Sequence, residues 1–132
     1  MIVLDTHVLI WWINETNRLS TKAQKAIENS INKGTKLLVS SISVWEIFLL
    51  FKKGSLESDM DLDVWLKNVE SLQYLQFIPV DNSIAAKSVM LREFPDKDPA
   101  DRIIVATARE LGATLITSDA RIRKYRHVQS VW

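Results

Sequence analysis

Residues 98–119, DPADRIIVATARELGATLITSD, constrain the fold more than any other stretch of the chain. Asp98 is a good N-cap residue, and Pro99 suits the first helical position, where its missing N–H leaves no bond unmade. An apolar helix follows, and Gly112 fits just beyond its end. Thr114 to Thr117 then reads as a strand, with Asp119 immediately after it. A capped helix leading into a short apolar strand, with carboxylates at both ends, is a unit of an α/β fold rather than of an all-helical one.

The remaining segments repeat that alternation. Ile2 to Leu4 reads as a buried strand ending in Asp5, and Thr6 to Ile13 as a helix, with one of Trp11 and Trp12 in the core and the other at a subunit surface. Ser20 caps a second helix through Asn32, with Gly34 as its stop. Lys36 to Ser40 is a second strand. Ser41 or Ser43 caps a third helix that runs to Lys53 and stops at Gly54. Asp61 to Gln73 is a helix, Phe77 to Val80 a strand and Asn82 to Phe94 a helix. A short basic helix and a strand from His127 to Val131 close the chain. Apolar strands that do not alternate, separated by helices, predict a parallel sheet covered on both faces. The expected architecture is a three-layer α/β/α sandwich, formed as a single domain over residues 1–132.

Composition narrows the function classes. The chain has no cysteine, which excludes disulfides and thiolate metal sites and fits a reducing compartment. No uncharged apolar run is long enough to cross a bilayer, and the opening MIVLD lacks the sections of a signal peptide. A cytoplasmic protein is expected. The net charge of +1 argues against a strongly electrostatic nucleic-acid coat, although charge is segregated. Residues 57–63 are acidic, whereas Arg121, Arg123, Lys124 and Arg126 form a basic run placed to contact phosphates, or else a solvated face.

In a parallel sheet, ligands bind beyond the carboxyl ends of the strands, where strand order reverses. Asp5 and Asp119 follow strands, and Asp98 and Asp101 open the helix before the last of these. Glu46 lies within ISVWEIFLLF, a helix apolar on nearly every face and therefore expected to be buried. An unpaired carboxylate there is costly, and the nearest following cation, Lys52, is six positions away, beyond side-chain reach on a helix. A cation would compensate several carboxylates at once. Oxygen ligands alone favour Mg²⁺ or Mn²⁺ over Zn²⁺. Such an ion activates water and neutralises charge on a phosphodiester, so metal-dependent phosphodiester hydrolysis is the expected chemistry.

Structural readings of the same residues stand beside this one. Asp98 is what helix capping favours anyway, and it has Arg102 four positions on. Asp119 can be the cap of the helix at Ala120. His7 and His127 lack partners at metal-binding spacing. Thr6, Thr117 and Ser118 flank the acids, suited either to hydrogen-bonding a carboxylate or a metal-bound water, or simply to ending strands.

With these residues in view the chain resembles the PIN-domain family, and within it the VapC-type toxin ribonucleases. The resemblance rests on IVLDTHVLIWW, SSISVWEI followed by KKGSL, DPADRIIVATARELGATLITSD, and the terminal Tyr125, Val128 and Trp132, in that order over nearly the whole chain. It implies an α/β/α sandwich that cuts RNA with Mg²⁺ or Mn²⁺. By motif position it implies Asp5, Glu46, Asp101 and Asp119 as the acidic quartet, with Asp5 and Asp101 as principal ligands and Asp98 as an extra acid. It also implies a homodimer neutralised by a small VapB-type antitoxin. A PIN-like nucleic-acid-binding module without catalysis is the alternative. A haloacid-dehalogenase-like phosphatase would need an acid where His7 stands. A receiver domain would use Asp81 but lacks the acidic pair near its first strand. The three glycines form no phosphate loop.

Overall fold

The computed structural model describes residues 1–54 and 61–132. Ser55 and Leu56 of the KKGSL motif, and most of the acidic run at residues 57–63, lie outside the described residues. Strands β1 (Ile2–Leu4), β2 (Leu37–Ser40), β3 (Leu75–Ile78), β4 (Thr114–Ile116) and β5 (Ser130–Val131) form a parallel sheet in the order β3-β2-β1-β4-β5. Helices α1 (Thr6–Asn14), α2 (Thr21–Asn32), α3 (Ile42–Lys52), α4 (Leu62–Glu70), α5 (Asn82–Val89), α6 (Pro99–Leu111) and α7 (Ala120–Lys124) connect them, with a 3-10 turn at Thr16–Arg18. The three-layer architecture expected from the sequence is the one observed.

Each central strand is apolar on both faces because both are covered. Ile2 and Leu4 of β1, Leu37 and Val39 of β2 and Ile116 of β4 pack against Val8, Leu9, Ile27 and Trp65 from α1, α2 and α4. The intervening Val3, Leu38 and Leu115 pack on the other side, against Ile104, Val105 and Ala108 of α6 and Ile122 of α7. Side chains alternate across a strand, so one strand feeds two cores. Each large side chain fully buried there contributes on the order of 1.5–3 kcal/mol.

Several boundaries differ from the sequence reading for identifiable reasons. Strand β3 begins at Leu75 rather than Phe77, since the Leu37 N–H already bonds the Tyr74 carbonyl, and it ends before Pro79, which has no N–H to give. Helix α4 ends at Glu70, and β5 covers only Ser130–Val131. Helix α3 takes its leading side-chain bond from Ser40, whose Oγ accepts the Ile42 N–H at 3.2 Å, and not from Ser41 or Ser43. That helix is also not enclosed. Only Ser43 and Ile47 are buried, and Trp45 is 56% exposed. Trp11 and Trp12 are both half-buried, Trp11 against Trp132 and Trp12 edge-on to Tyr74, so neither is wholly core or wholly surface.

The largest departure is in α5, which stops at Val89 rather than Phe94. The Arg102 guanidinium donates to the carbonyls of Ser88, Val89 and Asp96, taking two acceptors a longer helix would need. Glu93 adopts a positive φ of 55°, and the Tyr125 hydroxyl donates to the Arg92 carbonyl. Residues 90–98 therefore form a loop pinned at both ends. Replacing Arg102 with Ala should lower stability by about 2 kcal/mol in urea unfolding, as expected for losing charged hydrogen bonds. Lys, which lacks the planar fork, should recover less than half of that loss.

Candidate metal centre

Strand β1 lies between β2 and β4, so chain order reverses at β1, and the crevice lies beyond the carboxyl ends of β1 and β4. Asp5 leaves β1 there and caps α1. Its Oδ1 accepts the Thr6 N–H at 2.8 Å, and its Oδ2 accepts the Thr117 hydroxyl at 2.6 Å. Thr117 follows β4, and its hydroxyl oxygen in turn accepts the Asp119 N–H at 3.1 Å. One hydroxyl thus ties the two strand-end acids together.

Thr6 does the same for the acid on α3. Its hydroxyl donates to Glu46 Oε1 at 2.6 Å and contacts Ser43 Oγ at 2.8 Å. A hydroxyl has one proton, so the bond to Glu46 leaves Ser43 as the donor to Thr6. Thr6 and Thr117, which flank the acids in sequence, are buried and act as their hydrogen-bond partners. Ser118 makes no such contact among the described residues.

Helix α6 brings two acids to the crevice by its first turn. Asp98 caps it, with Oδ1 accepting the N–H groups of Ala100 and Asp101 at 2.8 and 3.3 Å. Asp98 is exposed and forms no ion pair with Arg102, whose guanidinium is committed to the loop carbonyls. Asp119 likewise caps α7, accepting from Arg121 and Ile122. Both capping readings hold, and neither removes the residue from the crevice.

Among the described residues two triads form, Glu46 with Asp98 and Asp101, and Asp96 with Asp101 and Asp119. In each, one carboxylate oxygen per residue lies within 4.8 Å of the others. Asp101 belongs to both. Asp5 belongs to neither, its buried carboxylate already bonded at both oxygens. Asp96 belongs to none of the sequence motifs. Its side chain is 6% exposed, its Oδ1 accepts the Asp98 N–H at 2.9 Å, and its Oδ2 lies 3.1 Å from Arg121 Nη2. The only sequence signal for it is an acid two residues before the cap, which accepts the cap's own N–H. His7 is exposed against Trp11, and His127 packs on Tyr125.

The crowding perturbs the acids. Asp101 is pushed up to about 9, first by burial, then by sharing a proton with Asp96, with the charges of Asp5 and Asp98 adding to both. Burial raises Asp5 against the opposing hydrogen bonds from Thr117 and Thr6. Burial also raises Glu46, opposed by Thr6 and assisted by the charges of Asp5 and Asp98. Asp96 is lowered, chiefly by its hydrogen bond with Asp101. A crevice that holds a proton because its carboxylates are buried and outnumber the cations, with oxygen donors only, fits a hard divalent ion such as Mg²⁺ or Mn²⁺.

Beside Asp119, a cleft of about 470 Å³ is lined by Lys22, Ala120, Arg123, Lys124 and Trp132 among others. Lys22, Arg123 and Lys124 form no ion pair with a described acid, whereas Arg121 is turned to Asp96 and also to Asp119 Oδ2, 3.8 Å away.

The PIN domain family model matches residues 2–128 of the chain. The chain belongs to the PIN domain family. This PIN domain is similar to ribonuclease VapC22 of Mycobacterium tuberculosis, 35% identical over 130 residues that cover 98% of this chain and 95% of that one. In structure it is similar to VapBC2 of Rickettsia felis bound to a DNA fragment from its promoter, with a TM-score of 0.71, 19% identity, and coverage of 99% of this chain and 98% of that one. It is also similar to a toxin–antitoxin complex from Klebsiella pneumoniae, with a TM-score of 0.67, 25% identity, and coverage of 100% and 97%.

The sign of the pH dependence follows from the protonation of the acids. The folded, metal-free PIN domain keeps on Asp101 a proton that the unfolded chain releases near the ordinary value of 3.8. Asp5 and Glu46 act in the same direction, and Asp96 opposes them. The stability present in acid is therefore lost as pH rises toward about 9. Thermal unfolding of the metal-free protein should show a midpoint that falls across this range. Asp101→Asn should flatten the slope, and Mn²⁺ should raise the midpoint most at high pH, because ligands bind it deprotonated.

Proposed function

We propose that this chain is a metal-dependent endoribonuclease that hydrolyses RNA phosphodiester bonds as the toxin of a type II toxin–antitoxin pair. The observation that carries the reading is the pair of carboxylate triads sharing Asp101 at the reversal point of the sheet. It occurs in a chain 35% identical to a ribonuclease over nearly its full length.

Asp5, Glu46, Asp101 and Asp119 are the acids we assign to holding Mg²⁺ or Mn²⁺, directly or through its waters. A bound divalent ion supplies a more acidic water and neutralises charge that develops on the phosphodiester. The protein's part is to present the acids deprotonated and correctly oriented. Thr117 fixes the Asp5 carboxylate, Thr6 fixes Glu46, and Ser43 orients Thr6. Asp101 must give up its proton before it can bind an ion. Asp98, as cap of α6, keeps that helix end at the crevice and adds negative charge beside Glu46 and Asp101.

The basic cleft next to Asp119 gives a path for the RNA backbone, with Arg123 and Lys124 from α7 joined by Lys22. Charge of this kind supplies affinity without reading sequence. The solved relatives described as toxin–antitoxin complexes support a VapB-type antitoxin as partner. Trp45, 56% exposed next to Glu46, is the apolar surface such a partner would cover beside the acids. We also propose a homodimer. The absence of cysteine, and of any described helix long and apolar enough to cross a membrane, supports action in the cytoplasm.

With a panel of structured RNAs, cleavage should require Mg²⁺ or Mn²⁺ and should vanish in Asp5→Asn and Asp101→Asn. Cleavage that survives both chelation and those substitutions would exclude this site. Thr117→Val should lower metal affinity or rate by about 10–100-fold, the usual cost of losing a partner of a ligand. Replacing Lys22, Arg123 and Lys124 with Ala should weaken RNA binding and flatten its salt dependence, by a slope of about 0.7 for each lost contact to single-stranded RNA.

A further inference from the structure

The two triads are not equivalent. That of Glu46, Asp98 and Asp101 has no cation in contact among the described residues, whereas that of Asp96, Asp101 and Asp119 does. Arg121 Nη2 lies 3.1 Å from Asp96 Oδ2 and 3.8 Å from Asp119 Oδ2, so one guanidinium spans two members of the second triad. Arg121 reaches it from the first turn of α7, two residues after the capping Asp119.

Asp96 is an unusual partner for a surface arginine. Its side chain is 6% exposed, and its Oδ2 is buried without a well-directed hydrogen-bond donor, so Arg121 is the cation that compensates it. The loop that carries Asp96 is pinned by Arg102 and Tyr125 through main-chain carbonyls, which leaves Arg102 engaged away from the acids. Arg121 itself is 58% exposed, so its guanidinium faces the crevice on one side and solvent on the other. A guanidinium is always charged and presents a planar fork suited to carboxylate and phosphate alike.

We propose that Arg121 permanently occupies the second cation position of this site, so that the protein binds a single divalent ion on the side of the triad of Glu46, Asp98 and Asp101, with Asp5 and Asp119 acting through its waters. Asp96 is then the positioning residue that aims Arg121, and it is an acid the sequence motifs do not include. On the endoribonuclease reading, which this assignment deepens, the solvent-facing side of the guanidinium meets a phosphate oxygen of the RNA on the Asp119 side. There it supplies, without an ion, the positive charge that a second metal provides in two-metal nucleases.

The test counts ions without RNA. Mn²⁺ is titrated into the metal-free protein, with bound ions counted by calorimetry and by the electron paramagnetic resonance signal of free Mn²⁺. Wild type should bind one ion per chain and Arg121→Gln two, with thermal unfolding confirming the fold. Arg121→Lys, which keeps the charge, should remain at one. Two ions in wild type or in Arg121→Lys, or one in Arg121→Gln, would overturn the assignment. In RNA cleavage, Arg121→Gln should need a second, higher range of Mn²⁺ concentration to reach full rate, where the second ion takes over the charge that Arg121 supplies in wild type. If wild type cleaves no RNA while the ion count still changes from one to two, the endoribonuclease reading fails and the assignment of Arg121 stands.

Discussion

Like charge is the constraint on which this structure depends. Asp5, Glu46, Asp96, Asp98, Asp101 and Asp119 gather at one edge of the sheet, and Arg121 is the cation paired with them among the described residues. Burial first, and then the neighbouring carboxylates, keep a proton on Asp101 well above the ordinary carboxylate range, and that proton holds the group together without an ion. The folded state tolerates this because the repulsion is confined to the crevice, while two apolar cores on the sheet faces hold the strands in register. Such local strain is characteristic of a site prepared for a counter-charge.

Hydroxyls and helix ends do the holding. Thr117 bonds Asp5 and accepts from the Asp119 main chain, and Thr6 bonds Glu46 while Ser43 bonds Thr6. Asp98 and Asp119 each cap a helix whose N-terminus favours negative charge nearby. Capping and chemistry are therefore not alternatives here. The cap bonds engage Oδ1 of each residue, which leaves Oδ2 for the crevice.

The loop between α5 and α6 gives the site its individual character. Arg102 stands four residues after Asp98 as a natural ion-pair partner, yet three of its donors go to main-chain carbonyls instead. That choice ends α5 early, turns the chain at Glu93, and swings Asp96 in beside Asp101. Arg121, one of a basic run, is thereby drawn to the acids, while Arg123 and Lys124 stay with the neighbouring cleft. Trp45 shows the opposite outcome. Helix α3 is apolar nearly all round in sequence, yet much of it stays uncovered in the single chain.

The amino-acid pattern alone carried the layers, the parallel sheet and the order of elements, because strand and helix periods, caps and Gly112 are local signals that tertiary packing reinforces. It also marked Asp5, Glu46, Asp101 and Asp119, whose motifs sit at strand ends and helix starts. Which groups meet was settled by long-range packing. Thr117 reaches Asp5 across 112 positions of chain, because parallel pairing of β1 with β4 aligns their ends. The exclusion of Asp5 from both triads and the capture of Arg121 depend on side chains distant in sequence, and the arrival of Asp96 depends on the bonds of Arg102 to distant main-chain carbonyls. No local pattern encodes those bonds, since a carbonyl looks the same at every position of the chain.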